Sequence, residues 1–404
     1  MRRTRVFPWV LVTFAATMPA AGAYAQGTGT YALRGVSVHP HGTAVAVALR
    51  LHVGSQDDPD GLEGTAWLLG RVLEAQVNAA LDPGRAVFTA GVERATTVLT
   101  LLAEPSDWPG AWRTADSLLF DAPLDAALLE KSRAGLLDEL AFESGSPFAE
   151  FEVGAAGILA DPGSPFVRPP RGTRESVERL GPTTLEQFRS ASFRRQAAAL
   201  AVVGPVPPDS STRAGQPIGA PGQDVPWTTG DRVPWVRDVT STWIAVAWPV
   251  PSSLPRTHAE MVAHLLKEDL DPLPPAPDRY GVDVRIEETP RGAVLIVEAS
   301  VFPESAERWE ARILGAAESL AAQAMPDDFF AWRRRRFRAA RLVEEAAPEV
   351  EAQRMSADLL RDGRVRDLGV EIWSLGPDAV RAAARALGPP RIFLLGPDLA
   401  GSGR

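Results

Sequence analysis

The chain has five histidines and no cysteine, so any metal centre would have to be built from imidazoles and carboxylates. His258, Glu260 and His264 fall in one helical stretch. Positions six apart lie about 240° round a helix, so the two imidazoles face different sides. His39 and His41 flank Pro40 and would share one face of a strand, with no third ligand in sight. His52 falls opposite the apolar run of its strand and is assigned no role. Arg333 to Arg336 and Arg338 form a dense basic run, interleaved with Phe329, Phe330, Trp332 and Phe337. Consecutive residues spread around a helix, and Glu344, Glu345 and Glu349 follow as partners, so the run reads as a solvated helix face in preference to a binding patch. The chain has no Gly-x-Ser-x-Gly, phosphate-loop or dinucleotide fingerprint.

The elements that would position such residues repeat. Residues 31–39 read as a strand, with 43–53 as its hairpin partner across Pro40-His41-Gly42. In the second strand Val47, Leu49, Leu51 and Val53 alternate up to Gly54-Ser55. An acidic turn with Pro59 leads into a helix over 61–81 whose inner face carries Leu62, Ala66, Leu69 and Leu73. Strands over 85–103 follow, then helices at 106–120, 125–144, 146–159, 173–180 and 184–192. A buried-type strand at 197–203 and Gly204-Pro205 close this half. The Pro- and Gly-rich residues 205–236 read as an extended linker. The second half repeats the outline: strand 242–250, helix 257–270, strands 279–288 and 292–301, helices 304–324, 326–346, 349–360 and 377–387. It ends with RIFLLGP at 391–397, an echo of ALAVVGP at 199–205. Matched endings predict a duplicated α+β unit, each copy a mainly antiparallel sheet packed with helices.

At 404 residues the chain suits two domains, and its composition is that of an ordinary globular protein. Arg2, Arg3 and Arg5, an apolar run over 6–18 and Ala23-Tyr24-Ala25 predict a signal peptide over 1–25 with Gln26 as the mature N-terminus. Secretion into a periplasm, with no membrane span after removal of the leader, is the expectation. Net charge is −9, or −12 once the leader's three arginines are gone, which argues against nucleic-acid binding. With no cysteine, disulfides are excluded.

The strand, acidic turn and helix over 46–81 resemble the start of the M16-like (insulinase/pitrilysin-type) zinc peptidases. There the turn reads roughly Gly-Ser-x-x-Glu/Asp-x-Pro and the helix carries His-x-x-Glu-His. The resemblance spans essentially the whole mature chain and implies two homologous M16-like domains (26–204 and 237–404) that form half a clamshell. It places Trp67 and Arg71 at the two His positions and Gly70 at the catalytic carboxylate. An indole, a hydrogen and a guanidinium cannot bind and activate zinc-bound water. Arg133 and Glu139 match the family's later Arg and third ligand, Glu139 lying 68 residues beyond Arg71. The expectation is that Glu139 pairs with Arg71 in the place vacated by the metal. Non-catalytic relatives keep an Arg and a Tyr that hold substrate in the partner's site. Arg279-Tyr280 is the nearest match and the candidate substrate or partner contact, adjacent here where the family spaces the two residues.

The resemblance thus implies a secreted non-catalytic homologue that binds no zinc itself. It would complete the peptide chamber of an active M16-like subunit as a heterodimer, or pair as a homodimer, around extended peptides. The rival is a stand-alone envelope binding or scaffolding protein. A hydrolase of other chemistry ranks below both, since no nucleophile–base motif is present.

Overall fold

The structure, a computed structural model, describes residues 31–161, 163–207, 214–218, 230–272, 277–289 and 292–398. The expected leader and its cleavage site lie outside the described residues.

The first half contains β1 (Leu33–Val38), β2 (Val45–Leu51), α1 (Thr65–Ala80), β3 (Ala86–Val92), β4 (Thr97–Ala103), α2 (Trp108–Phe120), α3 (Ala126–Glu143), α4 (Pro147–Gly157), α5 (Arg174–Arg179), α6 (Pro182–Ser192) and β5 (Ala198–Gly204). The second contains β6 (Arg232–Val236), β7 (Thr242–Pro249), α7 (Arg256–Leu270), β8 (Arg279–Thr289), β9 (Gly292–Val301), α8 (Ala306–Ala322), α9 (Asp327–Glu344), α10 (Pro348–Asp362), α11 (Leu368–Ser374), α12 (Pro377–Ala386) and β10 (Arg391–Gly396). Each half forms a five-stranded sheet, ordered β1-β5-β2-β4-β3 and β6-β10-β7-β9-β8. The orders are equivalent position by position, with one parallel pair at the β1 or β6 edge and antiparallel pairs elsewhere. This is the mixed α+β architecture of two sheets packed with helices.

Two expectations are corrected. β1 and β2 are not hairpin partners: β5 lies between them, parallel to β1 and antiparallel to β2. All seven β5 residues are buried, as suits a central strand, whereas β1 keeps the partly exposed Arg34 and Ser37 of an edge. The linker over 205–236 also ends early, because its last five residues form β6 beside β10. Pro234 is tolerated there because β6 is an edge strand.

Both faces of each sheet are covered, and the halves exchange helices to do it. On one face of the first sheet Val47, Leu49 and Leu51 meet the buried Leu69 and Leu73 of α1 and Leu129 and Leu136 of α3. On the other, Ala46, Ala48 and Ala201 admit Ala352 and Met355 of α10 from the second half. Reciprocally, α4 of the first half brings Phe151 and Ala155 onto Ala245, Ala247, Ile296 and Phe393 of the second sheet. Gly154 is required by this approach: an added Cβ would lie 2.0 Å from Phe393 Cζ. Among the described residues no helix is long and apolar enough to cross a membrane.

Candidate functional site

The acidic turn sets where α1 begins. Asp58 is buried and its carboxylate accepts the backbone N–H groups of Gly64 and Ala66, both at 2.7 Å, so two donors at the helix start are satisfied from outside. Gly64 adopts φ +92°, and a Cβ there would meet the Arg171 carbonyl oxygen at 2.6 Å. The helix therefore starts at Thr65, four residues later than its apolar pattern suggests. Burial pushes the Asp58 carboxyl up to about 7, against the pull of the N–H donors.

From that start α1 presents Trp67, Gly70 and Arg71. The Trp67 ring lines a cavity between the halves and lies 5.8 Å from the Arg171 guanidinium. Its Nε1 is buried with no acceptor among the described residues. Gly70 lies against β3, where an added Cβ would sit 2.8 Å from Val92 Cγ2, so a carboxylate at this position would have to displace Val92. Arg71 Nη2 donates to Glu139 Oε1 at 2.5 Å. Both side chains are part-exposed, 34% and 43%, so the pair contributes at most ~1 kcal/mol. The fit to a zinc ion is poor on every count. The single carboxylate is held by a guanidinium, the other two positions offer no metal donor, and Val92 closes the space for a base. Among the described residues no three His, Cys, Asp or Glu side chains converge to hold a metal.

The cavity has a volume of about 1730 Å³. The first half contributes Trp67, the β3–β4 turn with Arg94, and α4 with Phe148 and Glu152; the second contributes Arg285 to Thr289 of β8 and Arg361 of α10. Its walls alternate in sign. Arg285 holds Glu298 with two bonds of 2.7 and 2.8 Å. Arg171 pairs with Glu143 at 2.5 Å. Arg94 Nη1 donates to the carbonyls of Phe166 and Arg168, and burial lowers its pKa. Burial raises Glu152 and Glu287, opposed by Arg171 and Arg94 for the first and by Arg285 and Arg94 for the second. Such a mixed lining suits peptide groups and side chains of either charge better than a single charged ligand.

The other sequence candidates, His52 apart, lie elsewhere. Arg279 is bonded to Asp271, with its side chain 4% exposed, and Tyr280 is an exposed ring edge-on to Phe302. Neither lines the cavity. Arg133 bonds the Leu180 carbonyl and pairs with Glu130, bracing α3. Glu260 is held by Arg366 and Arg256. His264 packs 5.0 Å from the Phe337 ring, and burial lowers the pKa of His258. His39 pairs with Glu351, while His52 is at the cavity. Arg338 pairs with Glu345 as expected, at 3.3 Å, while Arg333 and Arg336 reach Glu268 and Asp269 of α7. Sequence reasoning missed Asp58, which is one acid among several in its turn. It also missed Arg94 and Glu287, whose proximity across the cavity no local pattern encodes.

No family model matches the sequence, and no curated protein does. Solved structures do match. A protease from Helicobacter pylori superposes with a TM-score of 0.72 at 14% identity, covering 92% of this chain and 98% of that one. A peptidase M16 inactive domain from Pseudomonas fluorescens gives 0.69 at 15% identity, over 92% and 97%. The periplasmic protease PqqL from Escherichia coli gives 0.67 at 10% identity, over 90% of this chain and 44% of that one. The chain has the two-domain fold of the M16-like peptidases.

Proposed function

We propose that the chain is a non-catalytic M16-like peptidase homologue, exported to the periplasm, that completes the peptide chamber of a zinc-bearing partner. The observation that carries this reading is the Arg71–Glu139 ion pair standing where two metal ligands would be. It is supported by Gly70, whose place against Val92 leaves no room for the base. Zinc would belong to the partner alone. The half-clamshell arrangement is supported by PqqL, a single chain of which this one covers 44%. Export is supported by the basic and apolar leader ending at Ala25. Extended peptides are the ligand class suited to a cavity of about 1730 Å³ with charges of both signs on its walls.

One observation favours a second reading. The cavity is built within one chain, so a stand-alone peptide-binding protein would need no partner. Tagged protein purified from its native envelope distinguishes them by mass spectrometry. The first predicts a co-purifying M16-like chain with an intact His-x-x-Glu-His. The second predicts bound peptides and no such chain. In either case the mature protein alone, given zinc and a mixed peptide library, shows no cleavage above background; reproducible chelator-sensitive cleavage would overturn both.

A further inference from the structure

The outer edge of β3 borders the degenerate motif and belongs to a strand with no neighbour on that side among the described residues. An unpaired edge presents a row of free N–H and C=O groups, a template for any extended chain. Here the N–H groups of Ala86, Phe88 and Ala90 and the carbonyl of Phe88 are already taken. Asn78 Nδ2 donates to the Phe88 carbonyl at 2.7 Å, and the Phe88 N–H donates to Asn78 Oδ1 at 2.9 Å. The Ala90 N–H donates to Glu74 Oε2 at 2.9 Å, and the Ala86 N–H to the Asp82 carbonyl at 3.0 Å. Phe88 and Ala90 lie opposite Leu101 and Leu99 of β4, and their outward peptide groups are those a further strand would use.

The Asn78 carboxamide takes both the N–H and the C=O of one residue, the pair of bonds that an antiparallel neighbour exchanges with its partner. The spacing explains how a helix can do this. Gly70, Glu74 and Asn78 recur every four residues, about 6 Å along a helix, and face Val92, Ala90 and Phe88, which recur every two residues, about 6.8 Å along a strand. The duplicate half lacks the arrangement. Matching the Leu-Asp-Pro that follows Asn78 (81–83) to the one that ends α7 (270–272) puts Ala263 and Lys267 at the positions of Glu74 and Asn78. Neither can accept a backbone N–H, and Lys267 lies 3.7 Å from Asp283. Among the described residues no side chain bonds a β8 backbone group between Arg279 and Glu288. The seal is thus a property of α1's sequence and not of the fold.

We propose that α1 acts as a surrogate strand, Asn78 and Glu74 closing the β3 edge so that neither a peptide nor a second chain can add to it. The inference stands whether or not a catalytic partner exists. The test is residue-resolved hydrogen exchange on the mature chain, with anisotropy of a fluorescein-labelled hexapeptide of alternating threonine and valine. In the wild type the Phe88 and Ala90 amides should be protected as well as those of Val87 and Thr89, and the hexapeptide should not bind. N78A should cut Phe88 protection about tenfold and E74A that of Ala90, while E74Q, which keeps an acceptor, should retain it. The double variant E74A/N78A should gain hexapeptide binding or self-association. If it does not fold, N78D, which lacks the donor, should gain hexapeptide binding in its place. Fast exchange of Phe88 and Ala90 in the wild type would overturn the proposal, and so would exposed amides without any gain of binding or association.

Discussion

Asp58 shows how a single side chain can decide where the motif helix begins. Its carboxyl, raised to about 7, keeps a proton in the folded chain that the unfolded chain releases near pH 4. Native protein binds more protons in that window, so the stability Asp58 contributes is full below about pH 4 and falls as pH rises toward 7. D58N weakens the cap, at a cost of about 0.5–2 kcal/mol, and removes this slope. Thermal midpoints of wild type and D58N should therefore differ most near pH 4 and converge toward pH 7. A gap that widens with pH would mean that the ionised carboxylate is the better cap. At the motif itself, E139Q should lower stability by no more than ~1 kcal/mol in thermal or urea unfolding, because water already screens the pair. That Trp67, Gly70 and Arg71 lie on the helix after the acidic turn was legible in the sequence. Asp58 was not, since Asp57, Asp58 and Asp60 are equivalent until the turn selects which one faces the helix start.

At the scale of elements, local patterning served and non-local pairing did not. Periodicity located α1, α3, α7 and the long helices of the second half to within a few residues. It could not tell that β5, some 150 residues downstream of β2, inserts beside it, because two strands separated by a short turn look like a hairpin. β6 was hidden for a different reason: a strand of five exposed residues containing a proline carries no apolar period. The exchange of α4 and α10 between the halves had a faint signal in the small residues on one face of β2 and in the glycine midway along α4. G154A tests this packing. Alanine raises helix propensity yet forces a methyl into the Phe393 ring, and overpacking of this kind costs about 1–3 kcal/mol. The variant should unfold at lower temperature than the wild type. A stabilised G154A would show that α4 does not press on the second sheet.

Across the whole molecule, duplication supplies two sheets of identical order, and helix exchange locks them around the cavity between the halves. The two copies differ at the matching position of their first helices. The first holds a guanidinium–carboxylate pair and a closed strand edge, and the second holds Glu260 between two arginines at the matching helix position. The proposed role, enclosing a peptide without cutting it, rests on the lack of a metal-binding donor set among the described residues. Zinc content of the purified mature chain, measured by elemental mass spectrometry after incubation with equimolar zinc and gel filtration, tests it most directly. Far less than one zinc per chain is expected, unchanged in E139A. One zinc per chain in the wild type, lost in E139A, would contradict it.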